Sequence, residues 1–187
     1  MRSALAAAPP FVALRRERIT VRRHKLGERD WTLLRAFVGR LTPEDVRRRF
    51  GAPLALDDEA TLRRAFEVEA GAGEIAWLAD EEAAIAGIVQ RVMVSPSEAE
   101  LGLIVRPDRH RAGIGEFLLR DLQQRAARQG LKTLCATVLR DNRAMLRLAL
   151  KLGYVPRQES AWMVELALAL EAIAAARSGD ERDEPWD

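Results

Sequence analysis

Two rhythms of apolar and polar positions alternate along this chain. Ile19 to His24 alternates residue by residue and predicts a first strand. From Arg29 to Arg40 the rhythm changes. Leu34, Phe37, Val38 and Leu41 recur at i, i+3, i+4 and i+7, which predicts a helix with one apolar face. Thr42-Pro43 then opens a short helix with an N-cap hydroxyl and a proline at the first helical position, and this helix ends near Phe50-Gly51. Asp57 is read as the cap of a third helix, with Leu62, Ala65 and Phe66 on one side. The strand rhythm returns at Glu74–Ala79, Ala84–Val94 and Glu98–Val105. Short polar turns separate these strands, as in an antiparallel meander. Gly113–Gln129 is helical, with Ile114, Phe117, Leu118 and Leu122 on one face and Gly130 as its stop. Thr133–Leu139 is nearly all apolar, the pattern of a strand buried in a parallel position. Asn142–Leu152 carries Met145, Leu148, Ala149 and Leu152 at core spacing. Tyr154–Arg157 and Ser160–Leu168 suit a closing hairpin, while Leu168–Arg177 reads equally as strand or helix.

Antiparallel strands followed by strand–helix–strand–helix define an α/β fold with a mixed sheet. The chain divides into a flexible tail over residues 1–14, one domain over 15–170, and a helical extension with an acidic, disordered tail over 171–187. A length of 187 residues and a hydrophobic share of 48% suit a single globular core. No internal repeat is evident.

The formal charge of +2 conceals a bias, because the only lysines are Lys25, Lys132 and Lys151. Almost all positive charge is arginine, whose planar fork suits phosphate and carboxylate. One cysteine, Cys135, and two histidines, His24 and His110, cannot form a disulfide or a usual zinc site, so no metal is expected. Cys135 reads as a core residue. Ala4–Ala8 is too short for a signal-peptide core, and no apolar run approaches a membrane span. A cytoplasmic protein, monomer or homodimer, is expected, with neither membrane nor nucleic acid as partner. Basic residues are not interleaved with aromatics as nucleic-acid binding would require.

The chemistry concentrates in Arg106-Pro-Asp-Arg-His-Arg-Ala-Gly-Ile-Gly115. A strand precedes this segment and a helix follows it. Its glycines let a ligand approach the backbone, and the open N–H groups of the helix start favour an anion. The third glycine of a dinucleotide fingerprint is replaced by Leu118, and the Gly-Lys-Ser/Thr of a nucleotide P-loop is missing.

Leu103-Ile-Val-Arg-Pro107, His110-Arg-Ala-Gly-Ile-Gly115, Asn142 and Lys151-Leu-Gly-Tyr154 together resemble the GNAT superfamily of acyl-CoA-dependent N-acetyltransferases. The likeness runs from about Ile19 to Leu168. Leu41–Phe50, Ala99-Glu100 and Val138–Met145 are similar to the catalytic domain of bacterial Pat-type protein lysine acetyltransferases. The resemblance implies a mostly antiparallel mixed sheet flanked by helices, with acetyl-CoA as co-substrate. It implies that Leu103, Ile104 and Val105 hydrogen-bond the pantetheine arm. The main chain of His110, Arg111, Ala112, Gly113, Ile114, Gly115 and Glu116 would hold the diphosphate, and Asn142 would lie near the pantetheine. Asn142 reads equally well as a helix cap. His110 stands where the family usually has Arg or Gln, which implies weaker binding of the cofactor. Arg106, Arg109 and Arg111 either meet further phosphates or face water.

A protonated amine must lose a proton before it attacks a thioester. Glu100 is the candidate general base, by its place on the central strand and by the Pat-type likeness. It shares a strand face with Glu98, Gly102 and Ile104, and partial burial is expected to raise its pKa. Ala149 occupies the position where many family members carry a tyrosine acid, and a thiolate leaving group of low pKa needs none. The expected acceptor is a protein lysine. A small-molecule amine, or a non-catalytic acyl-CoA sensor, is the alternative. Arg47-Arg-Arg49 and Arg63-Arg64 read as solvated helix faces, or as attractors for an acidic surface.

Overall fold

A computed structural model describes residues 20–23, 30–66, 73–79, 84–171 and 173. The two predicted tails lie outside the described residues, apart from 171 and 173. The elements run β1 (Thr20–Arg23), α1 (Trp31–Val38), α2 (Pro43–Phe50), α3 (Glu59–Ala65), β2 (Gly73–Ala79), β3 (Ile85–Met93), β4 (Glu98–Val105), α4 (Ile114–Arg128), β5 (Thr133–Leu139), α5 (Arg143–Lys151), β6 (Val155–Glu159) and β7 (Met163–Ala169). Among the described residues the strands form one sheet in the order β1-β2-β3-β4-β5-β7-β6. Every neighbouring pair is antiparallel except β4–β5. The meander and the closing hairpin stand as expected. β5 is parallel to β4 alone, because β7 pairs antiparallel along its other side.

Local chemistry explains the helix starts. Thr42 and Asp45 form a reciprocal capping box, with Pro43 next to the cap, and Gly51 closes α2 at a left-handed φ of 76°. Asp58, not Asp57, caps α3 by accepting from the Thr61 N–H. Either aspartate satisfies the motif, and the backbone turn at Ala55–Asp58 selects the second. Asn142 Oδ1 accepts from the Met145 N–H, so the helix-cap reading of Asn142 holds.

The sheet separates two apolar clusters. On one side Leu118, Leu119, Leu122 and Ala126 of α4 pack over Val89, Ala99, Leu101, Leu134, Ala136 and Val138. On the other, Leu34, Phe37, Val46, Leu62 and Phe66 cover Ile85, Ile88 and Ile104. Phe50 and Phe66 meet edge to face, with centroids 5.9 Å apart. β4 thus sends its odd-numbered side chains toward α4 and its even-numbered ones toward α1–α3, as its alternation predicts.

Candidate active site

The site begins where β4 and β5 part. Their parallel register covers only Glu98–Thr133, Ala99–Leu134 and Glu100–Cys135. Beyond Glu100 each strand keeps its outer partner, β4 to β3 as far as Val105 and β5 to β7 as far as Leu139. The sheet is therefore split between Leu101–Val105 and Ala136–Leu139. The split leaves main-chain groups of Leu103 and Val105 facing an opening instead of a strand, while those of Ile104 face β3.

At the carboxyl end of β4 the chain makes a single 3-10 turn, Pro107–Arg109, and then the turn that starts α4. Arg106 corrects the expectation of a phosphate ligand or a solvated side chain. It is 1% exposed, its Nε and Nη2 donate to Asp108 at 2.6 and 3.0 Å, and its Nη1 lies 3.4 Å from the Ile85 carbonyl. It is a structural pin beneath the loop. Its guanidinium holds the Asp108 carboxyl below its ordinary pKa. Arg109 lies beside Asp108, and Arg111 is exposed at a left-handed φ of 63°. Gly113 is also left-handed at 84°, with nothing within 4 Å of where a Cβ would stand. Within the described residues no hydrogen bond uses the main-chain N–H of Arg111, Ala112, Gly113, Ile114, Gly115 or Glu116. Six unspent donors at the start of a 15-residue helix make a nest suited to an anion. The residues present therefore fit the phosphate end of coenzyme A.

The two glycines of this loop differ in role. Gly113 supplies the left-handed turn. At Gly115 a Cβ would sit 3.3 Å from both Leu103 and Leu148 side chains, so its bareness seats α4 against β4 and α5. Gly115 thus also packs the helix start, while its main-chain N–H stays among the six open donors. Glu116 pairs with Lys151 at 2.6 Å and Arg120 at 3.0 Å, which lowers its pKa and offsets a negative charge beside the nest. His110 is exposed, and its ring folds back onto the end of β4. Its Nε2 lies 2.9 Å from the Val105 carbonyl oxygen, an acceptor, so Nε2 carries the hydrogen.

Glu100 opens into a cleft of about 250 Å³ on the α2 side of the split. Arg48, Arg49, Phe50, Gln90, Val92 and Thr137 are among the lining residues, with Leu139 and Met163 across the gap. The Glu100 side chain is exposed, so the partial burial expected of it is absent. The face of β4 that carries Glu100 looks into the cleft, so the carboxylate stays open to solvent. Sequence reasoning missed Gln90, Thr137 and Met163, which reach the cleft only through strand pairing. Tyr154 is 2% exposed in the α4 core, where burial raises its hydroxyl pKa, and it is not among the cleft residues. Ala149 is buried at the position where a tyrosine acid was looked for. Desolvation, with nearby Glu98 second, pushes the Cys135 thiol up to about 12. Among the described residues no group of three or more His, Cys, Asp or Glu could hold a metal, and no helix is long and apolar enough to cross a membrane.

A split mixed sheet with an anion nest beside the gap and a carboxylate within it defines an acyltransfer scaffold. The sequence profile of the Acetyltransferase (GNAT) domain matches residues 18–155. The chain belongs to that family and is an acyl-CoA-dependent N-acetyltransferase. A search of curated protein sequences finds no match. Among solved structures, the GNAT domain of S. lividans PAT superposes with a TM-score of 0.72 at 19% identity, covering 81% of this chain and 90% of that one. Spermidine N-acetyltransferase from Vibrio cholerae, in complex with CoA and spermine, gives 0.66 at 14% identity, covering 82% and 96%. An N-acetyltransferase from Staphylococcus aureus Mu50 gives 0.61 at 17%, covering 81% and 98%. At these identities the likeness establishes the fold.

Proposed function

We propose that the chain acetylates the side-chain amine of a protein lysine, with Glu100 as general base. When bound, acetyl-CoA supplies the thioester that the amine attacks. The nest from His110 to Glu116 would hold its diphosphate, and the open edge of β4 at Leu103–Val105 would hold its pantetheine arm, with Asn142 nearby. Glu100 lies on the same strand, just before that edge, and takes the proton from the entering ammonium. Main-chain N–H groups near Val105 donate to the carbonyl oxygen as it gains charge.

The observation that carries the lysine reading is the make-up of the cleft. Phe50, Val92, Leu139 and Met163 offer an apolar wall for a four-carbon stem, and Glu100 is the one carboxylate among the lining residues. A polyamine carries several ammonium groups and is better served by several carboxylates. The lone free cysteine, Cys135, suits a cytoplasmic location.

Glu100→Gln keeps shape and removes the base. Its kcat should fall 10²- to 10⁴-fold, roughly the span of general-base catalysis, while the Kd for CoA stays unchanged. Steady-state transfer to a lysine peptide, paired with calorimetric titration of CoA, measures both. Turnover preserved in the variant would remove Glu100 from the mechanism.

A further inference from the structure

The arginine run at the end of α2 has no part in the chemistry just proposed, and its three members sit in different surroundings. Arg47 donates through Nε and Nη2 to Glu44 at 2.7 and 2.8 Å and also pairs with Asp141, tying α2 to the turn before α5. Both acidic partners raise its pKa, the Glu44 hydrogen bond foremost. Arg48 spends only Nε, on Glu44 at 2.7 Å. Its side chain is 41% exposed and lines the cleft, and its two Nη groups make no hydrogen bond to the described residues. Arg49 lies on the cleft floor. A Cβ on Gly102 would fall 2.0 Å from its Cζ, so the guanidinium rests against bare main chain. Its Nη2 donates to Gln90 Oε1 at 2.6 Å, and its Cζ sits 4.6 Å from the Phe50 ring centroid.

Gly102 follows Glu100 by two positions on the same strand face, a rise of about 7 Å. The cleft therefore sets the Arg49 guanidinium about two residues' rise from the candidate base, with Arg48 lining the same cleft. A guanidinium fork matches a carboxylate in shape and charge. A second ammonium on the acceptor would instead be repelled.

We propose that Arg48, seconded by Arg49, selects acceptors that carry a carboxylate within one or two residues of the reacting amine. This inference rests on the amine-acetylation reading and names the acceptor more closely. The carboxylate comes either from an Asp or Glu beside a protein lysine or from the main-chain carboxylate of a free amino acid.

The test measures kcat/KM for peptides that differ only in whether Glu, Gln or Arg flanks the lysine, and for free lysine against lysinamide. Each substrate is assayed with the unaltered enzyme, Arg48→Gln and Arg48→Lys. With the unaltered enzyme, replacing the favoured carboxylate by an amide should lower kcat/KM about fivefold, the upper end for an exposed ion pair. Arg48→Gln should bring that ratio close to one, and Arg48→Lys should restore part of it. Ratios between substrates cancel any general loss of folding or turnover in a variant. A preference among the peptides assigns the carboxylate to a protein flank, and one confined to lysine over lysinamide assigns it to a free amino acid. Equal kcat/KM for acidic and neutral acceptors, or a preference undiminished in Arg48→Gln, overturns the inference while leaving lysine acetylation standing. If no lysine acceptor is acetylated at all, the amine reading fails and takes the inference with it.

Discussion

Asp108→Asn tests whether Arg106 is a structural pin or a ligand. Arg106 is 1% exposed, and its two hydrogen bonds to Asp108 are 2.6 and 3.0 Å long. Removing the partner of a fully buried ion pair costs about 3–5 kcal/mol. Asp108 itself is 55% exposed, so water screens its side of the pair and the figure must be discounted. About 2 kcal/mol remains, close to the value of a hydrogen bond to a charged group. For a domain of this size that lowers the melting temperature by about 4–8 °C. The pH dependence has a definite sign. Asp108 has its pKa depressed below 3.8 in the fold, chiefly by the Arg106 hydrogen bond. Its contribution is complete above that ordinary value and disappears as pH falls through the lower, folded one. Thermal unfolding of both proteins should differ by the full amount at pH 7 and converge as the pH is taken below the ordinary aspartate value and on through the lowered one. A variant that melts with the unaltered protein at pH 7 would refute the pin, and an equal gap across that range would refute the electrostatic account. The same variant should weaken CoA binding, because Pro107–Arg109 leads directly into the nest.

The remaining expectations concern the neighbouring turn, the helix cap and the thiol. Gly113→Ala forces a left-handed φ of 84° on a residue with a Cβ, at a cost of about 1–2 kcal/mol. The competent turn is then a minor state, and calorimetry should find the Kd for CoA raised about tenfold; an unchanged Kd would show that this conformation is dispensable. Asn142→Ala should cost about 1 kcal/mol through the lost cap, read by urea unfolding. Asn142→Asp should keep the cap but raise the KM for acetyl-CoA if the side-chain amide also serves the pantetheine arm, and an unaltered KM leaves Asn142 a cap alone. With its pKa near 12, the Cys135 thiol is roughly one part in 10⁴ ionised at pH 8. A disulfide reagent should label it at least about 100-fold more slowly in the native protein than in urea, and comparable rates would contradict its burial.

The sequence motifs were legible where the chemistry is local. The capping box at Thr42, the turn glycine at 113, the stop at Gly130 and the alternation of β4 all depend on residues within a few positions of one another. Hence the nest and the strand bearing Glu100 could be read directly. Misreadings arose where a side chain answers to something distant. Arg106 was expected to meet phosphate or face water because its burial under the Ile85 carbonyl comes from another strand. Glu100 was expected to be partly buried because the cleft its face of β4 looks into is not written in the strand alone. The packing role of Gly115 went unread because Leu148, which it accommodates, lies on a different helix.

Periodicity and turn chemistry along the chain thus determined which segments are helices or strands and where main-chain donors lie open, since torsional preferences and capping act over one or two turns. Tertiary structure alone decided that β7 enters between β5 and β6, that β4 and β5 diverge after three paired residues, and that Arg48 and Arg49 share a cleft with Glu100. Those outcomes follow from how whole faces bury their apolar area against one another, and no window of sequence contains both faces.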